Sequence, residues 1–189
     1  LIVEHTLFMG LMGMETAELT IADVGTGTGA IAINLALHLP SANIYAIDLF
    51  DPVLDVSSYN IRLHNVADRI TLLKGDLLEP LPEPVDLIVA NLPYIPRERI
   101  SGLQPEIQWE PTEALDGGTD GLELIRRLLE QAADPESSRL KDSGIIILEL
   151  DPDQIPEVTR ITNKLFPSAE ISVELDLAQH ERIFVVNTG

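Results

Sequence analysis

The tightest constraint on this chain is the run Asp23-Val24-Gly25-Thr26-Gly27-Thr28-Gly29, set between the apolar stretch Leu19–Val24 and the Ala/Leu-rich stretch Ala30–Leu39. Glycines at alternate positions admit left-handed backbone and let main chain come close to a ligand. A helix starting directly behind them offers unpaired N–H groups. The run therefore reads as the turn of a strand–turn–helix unit, and it calls for a sheet whose strand ends open onto a binding crevice.

The remaining sequence repeats that unit. Leu19–Val24 is the first strand, and the helix Ala30–Leu39 is stopped by Pro40. Asn43–Asp48 is the second strand, followed by a helix from Pro52 to about Asn65, and Arg69–Lys74 is the third. Asp76–Pro84, with three prolines in nine residues, cannot be helical and crosses the sheet as a loop. Val85–Ala90 is the fourth strand, then a long Pro-containing stretch runs from Asn91 to Thr119 before helical patterning resumes over Asp120–Ala133. Loops of that length tend to be functional, and this one leaves the C-terminal end of a strand, where doubly wound sheets bind ligands. Gly144–Leu150, Ala169–Leu175 and Glu181–Asn187 are the last three strands, with a helix over Asp153–Leu165. Only Asp176–His180 separates strands six and seven, too short for a parallel crossover, so that pair is antiparallel. The expectation is an α/β, Rossmann-like fold: a seven-stranded, mostly parallel sheet with an antiparallel last strand, in one domain over residues 1–189.

Composition narrows the function. A hydrophobic content of 45% is ample for a core. The absence of cysteine excludes disulfides, thiolate nucleophiles and Cys-ligated zinc, and suits a reducing cytoplasm. No stretch approaches the roughly 20 apolar residues that span a bilayer. A net charge of −19 opposes a phosphate backbone, so no direct nucleic-acid partner is expected. The opening Leu1-Ile2-Val3-Glu4-His5, with neither an initiator Met nor a basic signal region, is expected to start a fragment of a longer chain.

Asp48 closes the second strand, where a carboxylate can bridge ribose hydroxyls, so a nucleoside-bearing cofactor is implied. The glycine run leaves NAD and S-adenosylmethionine open, because Ala30 is tolerated at the last position of the dinucleotide fingerprint. Asn91-Leu92-Pro93-Tyr94, after strand four, resembles the Asn-Pro-Pro-Tyr signature of methyltransferases that modify planar nitrogens, and points to S-adenosylmethionine. An amide nitrogen is a poor nucleophile because its lone pair is delocalised. The Asn91 side-chain oxygen and the Leu92 carbonyl can each accept an N–H of an –NH₂ group, while the Tyr94 ring packs on the planar substrate.

The chain as a whole resembles the protein-glutamine methyltransferases that modify peptide chain release factors, the PrmC/HemK family. The resemblance rests on Gly25–Gly29 and Asn91–Tyr94, on Gly75–Leu81, Leu103-Gln104-Pro105-Glu106 and Glu110-Pro111, on Ala114–Leu122, and on Leu148-Glu149 and Asp176-Leu177-Ala178. It implies methylation of the glutamine side-chain amide in a release factor's Gly-Gly-Gln motif, with S-adenosyl-L-methionine converted to S-adenosyl-L-homocysteine and no metal. By the same resemblance Gly25, Thr26, Gly27, Thr28, Gly29 and Asp48 bind the cofactor, Asp23 neighbours its methionine moiety, and Asp76 and Leu77 lie near its adenine. Asn91, Leu92, Pro93 and Tyr94 hold the glutamine, with Asn91 also close to the methyl group. The alternatives are an adenine-specific DNA or RNA methyltransferase, which the charge disfavours, and a cofactor-binding fragment without catalysis.

Two departures stand out. Leu92 replaces the family's Pro, releasing a fixed φ worth about 0.4–1 kcal/mol. The family's N-terminal helical domain and Pro-Arg-Pro segment have no counterpart in this sequence. His5, His38, His64 and His180 are too dispersed for a metal pair and read as surface or helix-end residues. Phe8, Met9, Leu11, Met12 and Met14 read as the apolar face of a first helix, Trp109 as loop packing, and Glu123, Glu130, Asp134 and Glu136 as a solvated helix face and its exit.

Overall fold

A computed structural model describes residues 18–104, 111–137, 139–176 and 178–189. The elements run β1 (Thr20–Val24), α1 (Ala30–His38), β2 (Asn43–Asp48), α2 (Asp51–Leu63), β3 (Ile70–Lys74), β4 (Val85–Ala90), α3 (Glu123–Ala133), β5 (Leu140–Glu149), α4 (Ile155–Leu165), β6 (Glu170–Leu175) and β7 (Glu181–Asn187). They build one sheet in the order β3-β2-β1-β4-β5-β7-β6. The first five strands of that order are parallel, and β7 runs antiparallel to both β5 and β6. The expected fold class and the reversed last strand are both present.

Strands covered on both faces must be apolar nearly throughout, and β1 and β4 are. On one face Ala22, Val24, Ile88, Ile146 and Phe184 pack with Ile125, Leu128 and Leu129 of α3 and Val158 and Ile161 of α4. On the other, Ile21, Ile44, Ala46, Leu87 and Val89 pack with Ala32, Leu35 and Ala36 of α1 and Ile61 of α2. The Arg69 guanidinium closes the C-terminal end of α1 by donating to the carbonyl oxygens of Ala36 and Leu39, satisfying acceptors that the helix itself leaves free.

The chain leaves β1 for β2 on one side, while β4 lies on the other, so the strand order reverses between β1 and β4. The register pairs Val24 with Ala90 and with Ile47. Gly25, Asp48 and Asn91, each one residue further on, therefore emerge side by side at one sheet edge, where doubly wound sheets bind ligands.

Two boundaries differ from expectation by more than two residues. β5 starts at Leu140, not Gly144, because an irregularity opposite Val85–Leu87 lets Leu140 pair with Val85 before the ladder resumes at Ile145. α3 starts at Glu123, not Asp120: Gly121 is left-handed at φ +77°, and the Asp120 carboxylate accepts the Leu122 N–H at 3.0 Å. The stretch Asn91–Thr119 contains 3₁₀ turns at Arg97–Gly102 and Thr112–Ala114, and a bridge pairs Ile95 with Asp116. The helix expected over Phe8–Met14, and Glu106, Trp109, Glu110 and Leu177, lie outside the described residues. His38, His64 and His180 are exposed, the first two at helix ends.

Phe184 is fully buried between β5 and β6, whereas Leu37 of α1 is half exposed. Phe184→Ala is expected to cost about 3–5 kcal/mol in urea unfolding, and Leu37→Ala under about 0.5 kcal/mol; equal losses would contradict this assignment of the core.

Candidate active site

The glycine turn is held from behind by a buried carboxylate. Asp23, fully buried, accepts the Thr26 hydroxyl at 2.6 Å and the Ala32 N–H at 3.0 Å on Oδ2. Ala32 is in the first turn of α1, whose N-cap is Gly29 at φ +82°, a residue without a capping side chain. Asp23 thus supplies the cap from the preceding strand. Gly25, Gly27 and Gly29 all have positive φ, and a Cβ on Gly25 would come within 2.9 Å of the Leu92 side chain. α2 braces the turn from the side: the Ser57 hydroxyl donates to the Gly27 carbonyl, and the Asn60 amide to the Thr28 carbonyl at 2.9 Å.

Asp48 stands at the rim of the same turn. Its Oδ2 accepts the Gly27 N–H at 3.1 Å and its Oδ1 the Phe50 N–H at 3.2 Å, which orients the carboxylate and leaves each oxygen a further lone pair. After β3, Asp76 is ion-paired with Arg127 of α3, and Leu77 follows in the left-handed region at φ +53°. A leucine there carries strain of roughly 1–2 kcal/mol, offset by burial of its side chain in the core.

Opposite the glycine turn, the Asn91 side chain is exposed to the cleft, Leu92 is buried against Gly25, and Pro93 and Tyr94 line the wall. The Tyr94 hydroxyl meets Glu149 at 3.5 Å and Arg182 at 3.4 Å. Burial first, and the Glu149 carboxylate second, hold the Tyr94 phenol above its ordinary pKa, and burial likewise raises Glu149. The phenol stays protonated near neutrality. The loop is stitched to the segment before α3: Ile95 N–H donates to Leu115, Gly117 N–H to Ile95 and Arg97 N–H to Gly118, at 3.1, 2.9 and 2.9 Å. Arg97 also pairs with Asp116 at 2.8 Å, which holds the Asp116 carboxyl below the usual carboxylate range.

These walls enclose a cleft of about 710 Å³, within the range of small-molecule cofactor sites. Gly25, Thr26, Gly27, Thr28, Asp48, Asp76, Leu77 and Asn91 to Tyr94 all line it. Asp23 and Gly29 do not: Asp23 lies behind the turn and Gly29 caps α1, so both shape the site from outside its surface. The sequence reading missed Ser57 and Asn60, which hold the glycine turn, and Gln154, which reaches the Tyr94 carbonyl from the turn after β5. Polar residues at helix positions give no sign of which backbone they will meet; only the two prolines around Gln154, at 152 and 156, mark a capped turn there.

The strand order, the glycine turn with its paired Asp48 and the loop after β4 define the class: a Rossmann-like, class I S-adenosylmethionine-dependent methyltransferase fold. Residues 7–108 match the family model described as ribosomal protein L11 methyltransferase (PrmA), and the chain belongs to that family. It is 42% identical over 167 residues, 88% of its length, to a release factor glutamine methyltransferase of Moorella thermoacetica. Over 141 residues, 74% of its length, it is 40% identical to a ribosomal protein uL3 glutamine methyltransferase of Bradyrhizobium diazoefficiens. The chain spans 58% and 43% of those two relatives. A crystal structure of a ribosomal protein L11 methylase from Lactobacillus delbrueckii subsp. bulgaricus superposes with a TM-score of 0.65 at 24% identity, covering 97% of this chain and 76% of that one. Fold and family imply S-adenosylmethionine as methyl donor, and the residues fit it: the Gly25 and Gly27 backbone is open to the cleft, and Asp48 keeps acceptor capacity for hydroxyls.

Burial pushes the Asp23 carboxyl up to about 6, against the Thr26 and Ala32 hydrogen bonds that lower it; Oδ1 has no hydrogen-bond partner among the described residues. A carboxyl raised in the fold binds its proton more tightly there than in the unfolded chain. Its stabilising contribution is therefore complete below about pH 4 and lost as pH rises through about 6, a swing on the order of 3 kcal/mol. Unfolding of Asp23→Asn is expected to lack this component, so that its stability relative to the parent rises by about that amount between pH 4 and pH 7; parallel pH profiles would contradict it.

Proposed function

We propose that the chain N-methylates the side-chain amide of a protein glutamine with S-adenosylmethionine, and that this glutamine belongs to the Gly-Gly-Gln motif of peptide chain release factors in the cytoplasm. The observation that carries the reading is the loop Asn91–Tyr94: it faces the glycine turn across one cleft, and the Asn91 amide makes no hydrogen bond to any described residue. The relatives support glutamine as the acceptor. The net charge of −19 supports a cationic protein partner over a nucleic acid. Among the described residues no helix is long and apolar enough to cross a membrane.

S-adenosylmethionine supplies an electrophilic methyl group and leaves as S-adenosylhomocysteine. The chain's part is to bind and orient. Asp48 would hold the ribose hydroxyls and Asp76 and Leu77 would border the adenine, while Asp23 keeps the turn in place. Asn91 Oδ1 and the Leu92 carbonyl accept the two amide N–H groups, drawing electron density onto nitrogen and fixing its lone pair toward the methyl group. Such orientation contributes up to about 7–11 kcal/mol of barrier reduction. The methylated amide nitrogen is acidic and releases its proton to solvent, so no strong base is required. Tyr94, held protonated, packs on the amide plane.

The uL3 relative favours a second reading, in which the glutamine lies in a ribosomal protein. Both are tested by incubating the protein with labelled S-adenosylmethionine and, separately, a release factor, its Gly-Gly-Gln→Gly-Gly-Ala variant, ribosomal protein uL3 and duplex DNA. Label is expected on the release factor alone and not on its variant. Label on uL3 alone would move the reading to the second substrate, and label on DNA alone would overturn it.

Asn91→Ala is expected to lower methyl transfer by about 10²-fold or more, the scale set by a misplaced reactant, while leaving S-adenosylhomocysteine affinity within about threefold. Asp48→Ala is expected to weaken S-adenosylhomocysteine binding by about tenfold or more, as lost hydrogen bonds to a charged group do. Calorimetric titration of both variants checks the division of labour, and a reversed pattern would refute it.

A further inference from the structure

We propose that Gln154 is the positioning residue of the substrate loop: its side-chain amide clamps the Tyr94 carbonyl and so sets the direction in which Asn91 and Leu92 present their acceptors. This rests on the reading of Asn91–Tyr94 as the amide clamp.

Gln154 is 7% exposed, an unusual place for a glutamine unless its amide is fully engaged. It is. Nε2 donates to the Tyr94 carbonyl at 2.8 Å and to the Gly121 carbonyl at 3.3 Å, while Oε1 accepts the Asp151 N–H at 3.1 Å. Two carbonyls on one side and an N–H on the other admit a single orientation of the amide. One side chain thereby joins the loop after β4, the glycine segment before α3 and the turn after β5. The glycines make room for it. Gly121 is left-handed, and a Cβ there would strike the Tyr94 carbonyl oxygen and come within 2.6 Å of Gln154 Nε2. A Cβ at Gly117 would come within 2.8 Å of the Pro93 oxygen.

The need for the clamp follows from Leu92. A proline at that position would fix φ by its ring, whereas leucine leaves the torsion to be set by contacts. Burial against Gly25 anchors the Leu92 side chain, the Ile95–Leu115 and Ile95–Gly117 hydrogen bonds anchor the far end of the loop, and Gln154 fixes the peptide between them. The contacts at the Tyr94 hydroxyl are long by comparison, at 3.4 and 3.5 Å.

Gln154→Ala removes the clamp, and Gln154→Glu keeps its volume and the acceptor for Asp151 while placing a carboxylate oxygen against two carbonyls. Both variants are expected to bind S-adenosylhomocysteine within about twofold of the parent, because Gln154 does not line the cleft and its side-chain hydrogen bonds go to Tyr94, Gly121 and Asp151, and to lose about tenfold or more in methyl transfer. Amide hydrogen exchange at Ile95, Arg97 and Gly117 is expected to accelerate by about tenfold or more while the β1 and β2 amides are unchanged. The activity of Gln154→Glu relative to the parent is expected to recover from pH 8 to pH 6, as a protonated carboxyl regains a donor. Parent-like transfer and exchange in both variants would overturn the proposal, as would a loss of cofactor-product binding in proportion to the loss of transfer. Should Gln154→Ala fail to fold, Gln154→Glu decides alone. A parent that methylates no protein amide defeats the proposed function, while the exchange comparison still decides the clamp.

Discussion

The site depends on one carboxylate buried behind its wall. Asp23 joins the last residues of β1 to the first turn of α1 through the Thr26 hydroxyl and the Ala32 N–H. Three left-handed glycines would otherwise leave the turn between them with many conformations and large entropy to lose on ordering. The cost of the arrangement is visible in the Asp23 carboxyl itself, held at about 6 by burial with one oxygen unpartnered among the described residues. A buried charge of this kind is retained where it fixes a geometry rather than where it adds stability. Here the geometry is a turn whose backbone faces the cleft, with Asp48 oriented against it by the Gly27 N–H.

From that turn the architecture radiates in two directions. Toward β2 and β3 it meets Asp48 and the strained Leu77, the polar half of the cleft. Toward β4 and β5 it meets the loop Asn91–Tyr94, the half to which the proposed function assigns the amide. The second half is not self-supporting. Its backing comes from the segment Asp116–Gly121, whose glycines allow two stretches of main chain to lie closer than any Cβ would permit, and from Gln154 behind them. The segment Asp116–Gly121 is thus a brace for the loop Asn91–Tyr94.

Local rules made much of this legible before any coordinates. Strands read as unbroken apolar runs, and Val85–Ala90 and Asn43–Asp48 end where expected because both are covered on two faces. The short connection Asp176–His180 left β6 and β7 only an antiparallel pairing. The residues lining the cleft were legible because they occupy strand ends, whose position follows from topology alone. What escaped was long-range and polar. Asp23, assigned from the sequence to the neighbourhood of the cofactor, is buried behind the glycine turn and bonds Thr26 and Ala32. The early start of β5 depends on an irregularity in β5 itself, opposite Val85–Leu87 of β4, and Ser57, Asn60 and Gln154 act on backbone 30, 32 and 60 residues away. No periodicity encodes such pairs, since they exist only once two elements have packed.

Whether the glycine turn, Asp48 and the Asn91–Tyr94 loop face a single ligand is tested most directly by the amide NMR spectrum of the protein on addition of S-adenosylhomocysteine. Shifts are predicted at Gly25, Gly27, Asp48, Leu77 and Asn91 together, saturating with one equivalent, and none at the β6–β7 turn around Gln179. Saturating binding that moves other residues, or that moves the glycine turn without Asp48 and Asn91, would contradict the site described.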